Sequence, residues 1–401
     1  MTDEIKKRIE QVKNGKVPEG YKRIRGITIP ATWSYKKIGD VLQKVGKRVA
    51  VEKDIYYTQI GIRSHGKGLF YKEPVSGTDL GNKPVFWIEK DCFVANIVFA
   101  WEQAIGKTTK NEVGMIGSHR FPMYRPLNNQ TTVDYLVLFF NTEKGKEVLQ
   151  NASPGGAGRN KTLGQKEFFN GIILLPPILE QQKIVKILTH CDKVIELKKQ
   201  LLEEVHNQKK WLMQNLLHPN RGVRLKGYGG EWTVDIIKHL AKIKHGKNQS
   251  QIESANGRYP ILASGGEIGR TDVFLCNQPS VLIGRKGSID KPIYIDTPFW
   301  TVDTLFYTHI FECANPKFVY YIFCDINWWK YNESTGVPSL NAKTIESIEV
   351  FIPPTIEEQT AIANILSTVD GKIKLLEQEL EQWQQKKKAL MQMLLAGIVR
   401  V

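Results

Sequence analysis

Two glycine-rich stretches of this 401-residue chain approach the spacing of a phosphate-binding loop. In residues 61–68 (GIRSHGKG), glycine stands where such a loop needs the Ser or Thr hydroxyl that holds Mg²⁺. Residues 106–108 (GKT) supply the end of the motif, but Trp101 and Glu102 occupy the place of its first glycine. Neither stretch is therefore predicted to bind a nucleotide.

The usual catalytic and metal-binding patterns are also missing from the sequence. The eight histidines form no HExxH motif, and the five cysteines are never spaced as CxxC. Residues 296–299 (DTPF) lack the second proline of the Asn/Asp-Pro-Pro-aromatic signature of amino-methyltransferases. No Ser/His/Asp or Cys/His set follows from the spacing. The sequence predicts no catalytic residue, no metal site and no disulfide framework, a pattern typical of the reducing cytosol.

Positive charge is concentrated in the first part of the chain. Lys and Arg outnumber Asp and Glu by 56 to 41, and residues 1–175 account for +11 of the net charge of +15. Such an excess attracts polyanions, usually nucleic acid, although in many basic proteins it serves only solubility. A single basic residue in a glycine-rich stretch is typical of a solvent-exposed turn. Several such residues in both parts of the chain together favour contact with DNA. The set comprises Arg63, Lys67, Arg159, Lys161, Lys247, Arg285 and Lys286.

The strongest feature of the sequence is an internal repeat. Residues 180–217 and 358–395 align at an offset of 178, with 18 of 38 positions identical. Each copy follows a double proline, Pro176-Pro177 or Pro353-Pro354, and begins with Glu-Gln. Proline suits the first turn of a helix, and acidic residues there favour the positive end of the helix dipole. Each copy is therefore predicted to form one long helix.

The seam positions of the second copy step alternately by four and three residues, the a/d pattern of a coiled coil, and the offset of 178 gives those of the first copy. We predict that the two helices pair antiparallel about a pseudo-two-fold axis. The alternative is that each amphipathic helix packs only on its own neighbouring domain. Lys209 and Lys387 interrupt the seam at the same place, as residues that fix the register would. The predicted seam comprises Ile195, Leu202, Val205, Lys209, Leu212 and Leu216 in the first copy, and Val369, Ile373, Leu376, Leu380, Trp383, Lys387, Leu390 and Leu394 in the second.

The segments outside the helices predict two lobes of α+β class, residues 1–175 with an N-terminal lead segment and residues 221–352. The long helices then occupy residues 176–220 and 353–401. The spacings Trp33-x4-Ile38 and Trp232-x4-Ile237 indicate that the duplication extends into the lobes. Short apolar runs of β type are found at residues 94–99, 136–140, 280–283, 292–295 and 305–310.

On these features the chain resembles the specificity subunit of type I restriction-modification systems. The resemblance is carried by the twin Pro-Pro segments, the Glu-Gln, Ile-Leu, Asp and Lys-Lys-x-Leu-Met-Gln steps after them, and residues 259–267, 284–288 and 298–304. It implies two target-recognition domains, each reading one half of a split DNA sequence, separated by two long helices that form an antiparallel coiled coil. It also makes Arg285, Lys286 and Ser288 candidate DNA contacts.

The resemblance also implies a division of labour with partner subunits. The helices would set the unread spacer and dock two adenine-N6 methyltransferase subunits, and motor-nuclease subunits would be able to join. This chain would be non-catalytic and bind no cofactor, with S-adenosylmethionine, ATP and Mg²⁺ held by the partners.

Two other functions stay open from the sequence. A self-sufficient DNA methyltransferase or nuclease with fused recognition domains would bind S-adenosylmethionine without a partner. A purely structural coiled-coil adaptor would lack a steep dependence of DNA affinity on salt. The apolar runs fall short of the ~18 residues of a membrane helix, and the first residues lack the apolar core of a secretory signal. We therefore expect a cytoplasmic protein that contacts double-stranded DNA and no membrane.

Overall fold

A computed structural model describes residues 3–24, 26–81, 83–155, 161–219 and 224–401. The fold belongs to the predicted α+β class. It divides into two compact units, one formed by Met1–Glu196 with Glu381–Val401 and the other by Leu197–Leu380. Each unit combines one lobe with part of both long helices, so the unit boundaries fall inside the helices.

The first unit combines short helices with short strands, which pair antiparallel. Its helices are α1 (Asp3–Lys13), α2 (Ile38–Val41), α3 (Gly77–Leu80), α4 (Val133–Phe140), α5 (Glu143–Asn151) and α6 (Gln165–Asn170). Its strands are β1 (Tyr21–Ile24), β2 (Ile27–Pro30), β3 (Ser34–Lys37), β4 (Leu42–Val45), β5 (Lys47–Arg48), β6 (Tyr56–Tyr57), β7 (Ile60–Ile62), β8 (Leu69–Tyr71), β9 (Val75–Ser76), β10 (Val85–Trp87), β11 (Phe93–Ala95), β12 (Ile105–Lys107), β13 (Ile116–Ser118), β14 (Met123–Pro126) and β15 (Ile172–Leu175).

Two long helices follow, and the lobe of the second unit lies between them in the chain. The long helices are α7 (Ile178–Leu216) and α11 (Ile356–Leu395). The short helices of the second unit are α8 (Ile237–Leu240), α9 (Pro316–Asp325) and α10 (Ala342–Glu346). Its strands are β16 (Thr233–Ile236), β17 (Ala241–His245), β18 (Tyr259–Ala263), β19 (Gly266–Thr271), β20 (Ser280–Gly284), β21 (Ile293–Ile295), β22 (Trp300–Thr301), β23 (Leu305–Ile310) and β24 (Glu349–Ile352).

The two long helices run antiparallel where they meet inside the second unit. Lys198 of α7 pairs with Glu379 of α11 at 2.5 Å, and Lys209 pairs with Asp370 at 2.6 Å. As the residue number rises along α7, the number of its partner on α11 falls. This is the orientation that the repeat predicts.

The predicted seam residues are buried or half-buried on both helices. In the second unit, Val205, Ile373 and Leu376 form one buried apolar cluster with Leu202 and Val369 packed against it. In the first unit, Leu390 and Leu394 of α11 join a large core that also contains Ile184 and Leu188 of α7. Each lobe therefore buries the helical parts that belong to its own unit.

The lobes share one sheet topology. A four-stranded antiparallel sheet in the first unit has the order β4-β14-β11-β12, and one in the second unit has the order β17-β23-β20-β21. In each unit a two-stranded pair, β3 with β15 or β16 with β24, leads into a long helix. The duplication thus extends through both lobes, as the tryptophan spacings indicate.

Two of the predicted β-type runs are wrong in whole or in part. Residues 136–140 lie in α4, which begins where the Thr132 hydroxyl accepts a hydrogen bond from the Tyr135 N–H. Its apolar residues are mostly buried, and a continuous buried run has no periodicity that separates helix from strand. Of residues 94–99, only the first two are in β11, and the chain then turns.

Candidate nucleic-acid interface

A tight turn follows β20 in the second unit and carries Arg285, Lys286 and Ser288. A Cβ on Gly284 would lie 2.2 Å from the Ser288 carbonyl oxygen, so only glycine allows the chain to fold back so closely. The N–H groups of Arg285 and Lys286 both point to the Thr304 carbonyl, at 2.9 and 3.2 Å. The turn is therefore fixed against the segment that precedes β23.

The same segment holds Lys247. The Lys247 N–H donates to the Thr301 carbonyl at 2.8 Å, and the Trp300 indole N–H donates to the Lys247 carbonyl at 2.9 Å. A Cβ on Gly246 would lie 2.1 Å from the Val302 carbonyl oxygen, so this contact also depends on glycine. Residues 300–304 thus bring together Lys247 and the Arg285 turn, which are distant in sequence.

Arg285 is held in a defined orientation. Its Nη1 lies 2.6 Å from both carboxylate oxygens of Asp303, and its side chain is 29% exposed while that of Asp303 is 65% exposed. Lys286 and Lys247 are exposed. A cavity of about 270 Å³ beside the turn is lined by Arg285, Lys286 and Glu333 among others. The guanidinium is therefore oriented by an acid at the surface, whereas the two lysine side chains are exposed to solvent.

In the first unit, Arg63 and Lys67 lie in the exposed loop between β7 and β8. The Arg63 guanidinium stacks over Phe70 at 5.1 Å, and the Lys67 side chain is exposed. The loop contacts a 3₁₀ turn, Ala100–Glu102, because the His65 N–H donates to the Glu102 carbonyl at 2.7 Å. The loop is therefore anchored to the residues that follow β11.

Lys161 reaches the same 3₁₀ turn from another part of the chain. Its Nζ lies 5.2 Å from the ring centre of Trp101, within the range of a cation–π contact. The structure thus places Arg63, Lys67 and Lys161 around residues 100–103. Arg159, the fourth candidate of this lobe, lies outside the described residues.

The buried carboxylate of Glu112 is hydrogen-bonded to Tyr71, close to the Arg63 loop in the chain. Burial alone would raise the pKa of Glu112, but hydrogen bonds from the Tyr71 hydroxyl and from the N–H and hydroxyl of Thr109 outweigh it and hold the pKa below its usual value. Tyr71 belongs to β8, the strand that closes the Arg63 loop. Burial raises the pKa of the Cys92 thiol, which lies in an apolar cluster with Ile60 and Val94.

The Glu-Gln pair of each repeat copy has a role that the sequence does not reveal. The buried Glu180 carboxylate accepts hydrogen bonds from the Trp33 indole at 3.0 Å and from Arg400 at 2.5 and 2.9 Å. Arg400 follows α11, whereas Glu180 begins α7. These hydrogen bonds raise the pKa of the Arg400 guanidinium. The carboxylate therefore ties one lobe, one helix start and the chain terminus together.

The second unit repeats this arrangement. Glu358 at the start of α11 is 1% exposed and accepts hydrogen bonds from the Trp232 indole at 3.3 Å and from Arg224 at 3.1 and 2.9 Å. Gln181 and Gln359, the next residues, are also buried and hydrogen-bonded to their lobes. The equal spacing of Trp33 and Trp232 from their isoleucines marks the two tryptophans as equivalent, but it does not point to the carboxylates that they contact.

The described ranges contain no group of three or more His, Cys, Asp or Glu side chains arranged to hold a metal ion. The five cysteines are all free thiols. Within the part of the chain that the structure describes, no helix combines the length and apolar character needed to cross a bilayer.

Comparison with known sequences gives a consistent result. A family model described as "Type I restriction modification DNA specificity domain" matches residues 30–207 and 229–385, once for each half of the chain. The Type I restriction enzyme MjaVIII specificity subunit of Methanocaldococcus jannaschii is 24% identical over 435 residues, covering 96% of each protein. The putative type I restriction enzyme MjaX specificity subunit of the same organism is 23% identical, covering 96% of this chain and 97% of that protein.

Solved structures share the fold. The HsdS subunit from Thermoanaerobacter tengcongensis matches with a TM-score of 0.54 at 14% identity, over 92% of this chain and 98% of that one. The type I restriction-modification S subunit from M. genitalium matches with a TM-score of 0.60 at 14% identity, over 93% of this chain and 97% of that one.

Proposed function

This chain belongs to the type I restriction-modification DNA specificity family, and from that premise we propose that it reads a split DNA sequence, one half with each lobe. In this proposal the chain is the non-catalytic specificity subunit of a methyltransferase or endonuclease complex. Arg63, Lys67 and Lys161 in the first lobe, and Lys247, Arg285, Lys286 and Ser288 in the second, lie at the DNA surface.

One observation carries this proposal. In both units the candidate basic residues collect at the end of the corresponding sheet strand, β11 in the first and β20 in the second, although the sequence positions of these residues do not match. Exposed Lys and Arg side chains favour contact with phosphates, whereas an oriented guanidinium such as that of Arg285 favours a guanine edge. Two lobes with one topology and different side chains suit two different half-sites.

The long helices are the proposed docking surface for the methyltransferase subunits. Leu197 and Leu375 are repeat equivalents, and both are exposed, by 53% and 62%. Leu201 and Trp211 are exposed by 40% and 53%. Large apolar side chains at the surface of a helix pair favour a protein partner. We propose two methyltransferase subunits, with motor-nuclease subunits as further partners.

The cofactors of the complex belong to the partners in this proposal. S-adenosylmethionine, ATP and Mg²⁺ are bound by the methyltransferase and motor subunits, and this chain contributes recognition and scaffolding. The complex acts on genomic DNA and therefore works in the cytoplasm.

The test is selection of DNA by the assembled complex. The chain is co-expressed with the methyltransferase subunit of its own system, and the purified complex selects duplexes from a randomised library. We expect two short fixed half-sites separated by an unread spacer. Selection of a single continuous site, or of none, would contradict the proposal. Titration of the isolated chain with S-adenosylmethionine should give no binding; saturable binding would instead favour a self-sufficient methyltransferase.

A further inference from the structure

The shared topology allows the recognition turn of one lobe to be matched with that of the other, residue by residue. β11 lies between β12 and β14, as β20 lies between β21 and β23. The Leu163 N–H donates to the Ile97 carbonyl at 2.8 Å, and the Leu340 N–H donates to the Arg285 carbonyl at 2.9 Å. The short helices α6 and α10 each begin two residues after these leucines. Ile97 is therefore the counterpart of Arg285.

This correspondence changes the chemistry expected of the first lobe. The turn after β11, residues 96–101, is named the aromatic turn here. Val98 follows as the counterpart of Lys286, so the aromatic turn carries neither the guanidinium nor the ammonium of the second lobe. Its exposed side chain is Phe99, which is 36% exposed. In the sequence this turn overlaps the apolar run 94–99, which predicts a strand and not a DNA contact.

We infer that the aromatic turn is the base-contacting element of the first lobe and that it reads DNA by apolar contact through Phe99. This inference rests on the proposed function, because it assumes that both lobes approach the duplex with corresponding turns. In the major groove, only thymine presents a methyl group, and Phe is among the side chains that contact it. The ligand is therefore duplex DNA with a thymine at one position of the half-site.

Hydrogen bonds hold the backbone of the aromatic turn that carries Phe99. The Asn96 side-chain oxygen accepts a hydrogen bond from the Val98 N–H at 3.1 Å, and the Trp101 indole N–H donates to the Val98 carbonyl at 3.1 Å. The Phe99 N–H donates to the Asn96 carbonyl at 3.0 Å. A contact that discriminates between bases needs such fixed geometry.

The charges around the aromatic turn suit a polyanion. Lys161 lies over Trp101, and the loop with Arg63 and Lys67 is anchored to Glu102 through the His65 N–H. Glu102 is the acid at this site, and its carboxylate accepts a hydrogen bond from the Ser64 hydroxyl at 3.1 Å. These basic residues lie on segments that contact residues 101–103, next in the chain to Phe99, so phosphates close to a contacted base would meet positive charge. Their role is to hold the backbone, not to read bases.

The experiment compares Phe99→Ala with Phe311→Ala in the assembled complex. Phe311 is the matched control, because it is also 36% exposed but follows the far end of β23, where its N–H donates to the Leu240 carbonyl. Library selection should show that Phe99→Ala relaxes the preference for thymine at one position of one half-site by about 4-fold, the value of one buried methyl group. The other half-site should be unchanged, Phe311→Ala should select like the parent, and Phe99→Leu should retain most of the preference.

Two results would overturn the inference. One is a Phe99→Ala complex that selects the parental site without change. The other is a Phe99→Ala complex that loses affinity equally for all sequences, together with a Lys67→Ala or Lys161→Ala complex in which a base preference changes. Failure of the inference is distinct from failure of the proposed function: in the latter, the parental complex itself selects no split site. Circular dichroism of each variant verifies folding.

Discussion

Lys209 Nζ lies 2.6 Å from a carboxylate oxygen of Asp370, at a position where a lysine interrupts an apolar helical seam. The repeat equivalents of these residues, Lys387 and Asp192, form the same ion pair in the first unit. Each lysine therefore faces the acid of the other repeat copy. An antiparallel pair of duplicated helices meets this condition in one register only, so the two ion pairs select that register.

The first prediction concerns the charge of Asp370. Replacing it in Asp370→Asn removes the partner of Lys209 but keeps an acceptor for the Tyr321 hydroxyl, which donates to Asp370 at 2.7 Å. The Lys209 and Asp370 side chains are 21% and 32% exposed, so solvent screens part of the loss. We expect a destabilisation of about 1 kcal/mol, measured by urea unfolding of the full chain. The double variant Lys209→Met/Asp370→Asn should recover stability, and a further loss would contradict the account.

The sequence predicts what is periodic and local, and it fails where partners are distant. The helices were predictable because one seam continues over 38 residues between double prolines and closing residues. The partnership of Glu180 with Arg400 was not, because the two are separated by 220 positions. The match of Ile97 with Arg285 is invisible in the sequence, since it lies in backbone hydrogen bonds that any residue type can make.

The second prediction concerns the chain terminus. In Arg400→Ala, the Glu180 carboxylate, 6% exposed, keeps the Trp33 indole but loses both hydrogen bonds from the guanidinium. An incompletely paired buried charge is costly, and we expect the first unit to lose roughly 2–3 kcal/mol. Urea unfolding followed by far-UV circular dichroism is the readout, because nine tryptophans prevent Trp33 fluorescence from being followed alone. Arg400→Lys should recover part of the loss, because it restores the charge without the paired hydrogen bonds.

The equivalent change in the second unit provides a test of the duplication. Arg224→Ala removes the same two hydrogen bonds from Glu358, which is even less exposed, at 1%. We expect a loss at least as large as for Arg400→Ala. Limited proteolysis identifies the destabilised unit, which should be the second one here and the first one for Arg400→Ala. Cleavage of the same unit in both variants would contradict equivalent roles.

The third prediction is a pH dependence that originates at Glu112. The folded protein holds the pKa of this carboxyl below its unfolded value of about 4.5 through hydrogen bonds from Tyr71 and Thr109. A depressed pKa contributes stability that is present above pH 4.5 and is lost as the pH falls through the folded pKa. In Glu112→Gln, the free energy of unfolding, measured by urea denaturation at several pH values, should therefore depend less steeply on pH below 4.5. The exposed Glu73→Gln is the control and should behave like the parent.

The fourth prediction separates base reading from phosphate contact in the second lobe. Arg285→Ala should relax discrimination at one base pair by ~1–3 kcal/mol, because an oriented guanidinium meets a base edge. Lys286 is the next residue and its side chain is exposed. Lys286→Ala should weaken binding of all sequences alike and reduce the slope of log affinity against log salt concentration by about one. Asp303→Asn should act like a weaker Arg285→Ala, since it removes the charge that orients the guanidinium. Uniform weakening by Arg285→Ala would make it a phosphate contact.

The fifth prediction tests the helices as the determinant of spacer length. Deleting residues 197–203 and 375–381 removes one heptad from each helix at repeat-equivalent positions and leaves the phase of both seams intact. Each helix shortens by about 10 Å, which corresponds to roughly three base pairs of duplex. We expect library selection to return both parental half-sites with a spacer shorter by that amount. Deleting only residues 197–203 is the control: Lys209 then loses its register with Asp370, so the helices should no longer pair stably. A matched double deletion that binds with an unchanged spacer would mean that the helices do not set the distance between half-sites.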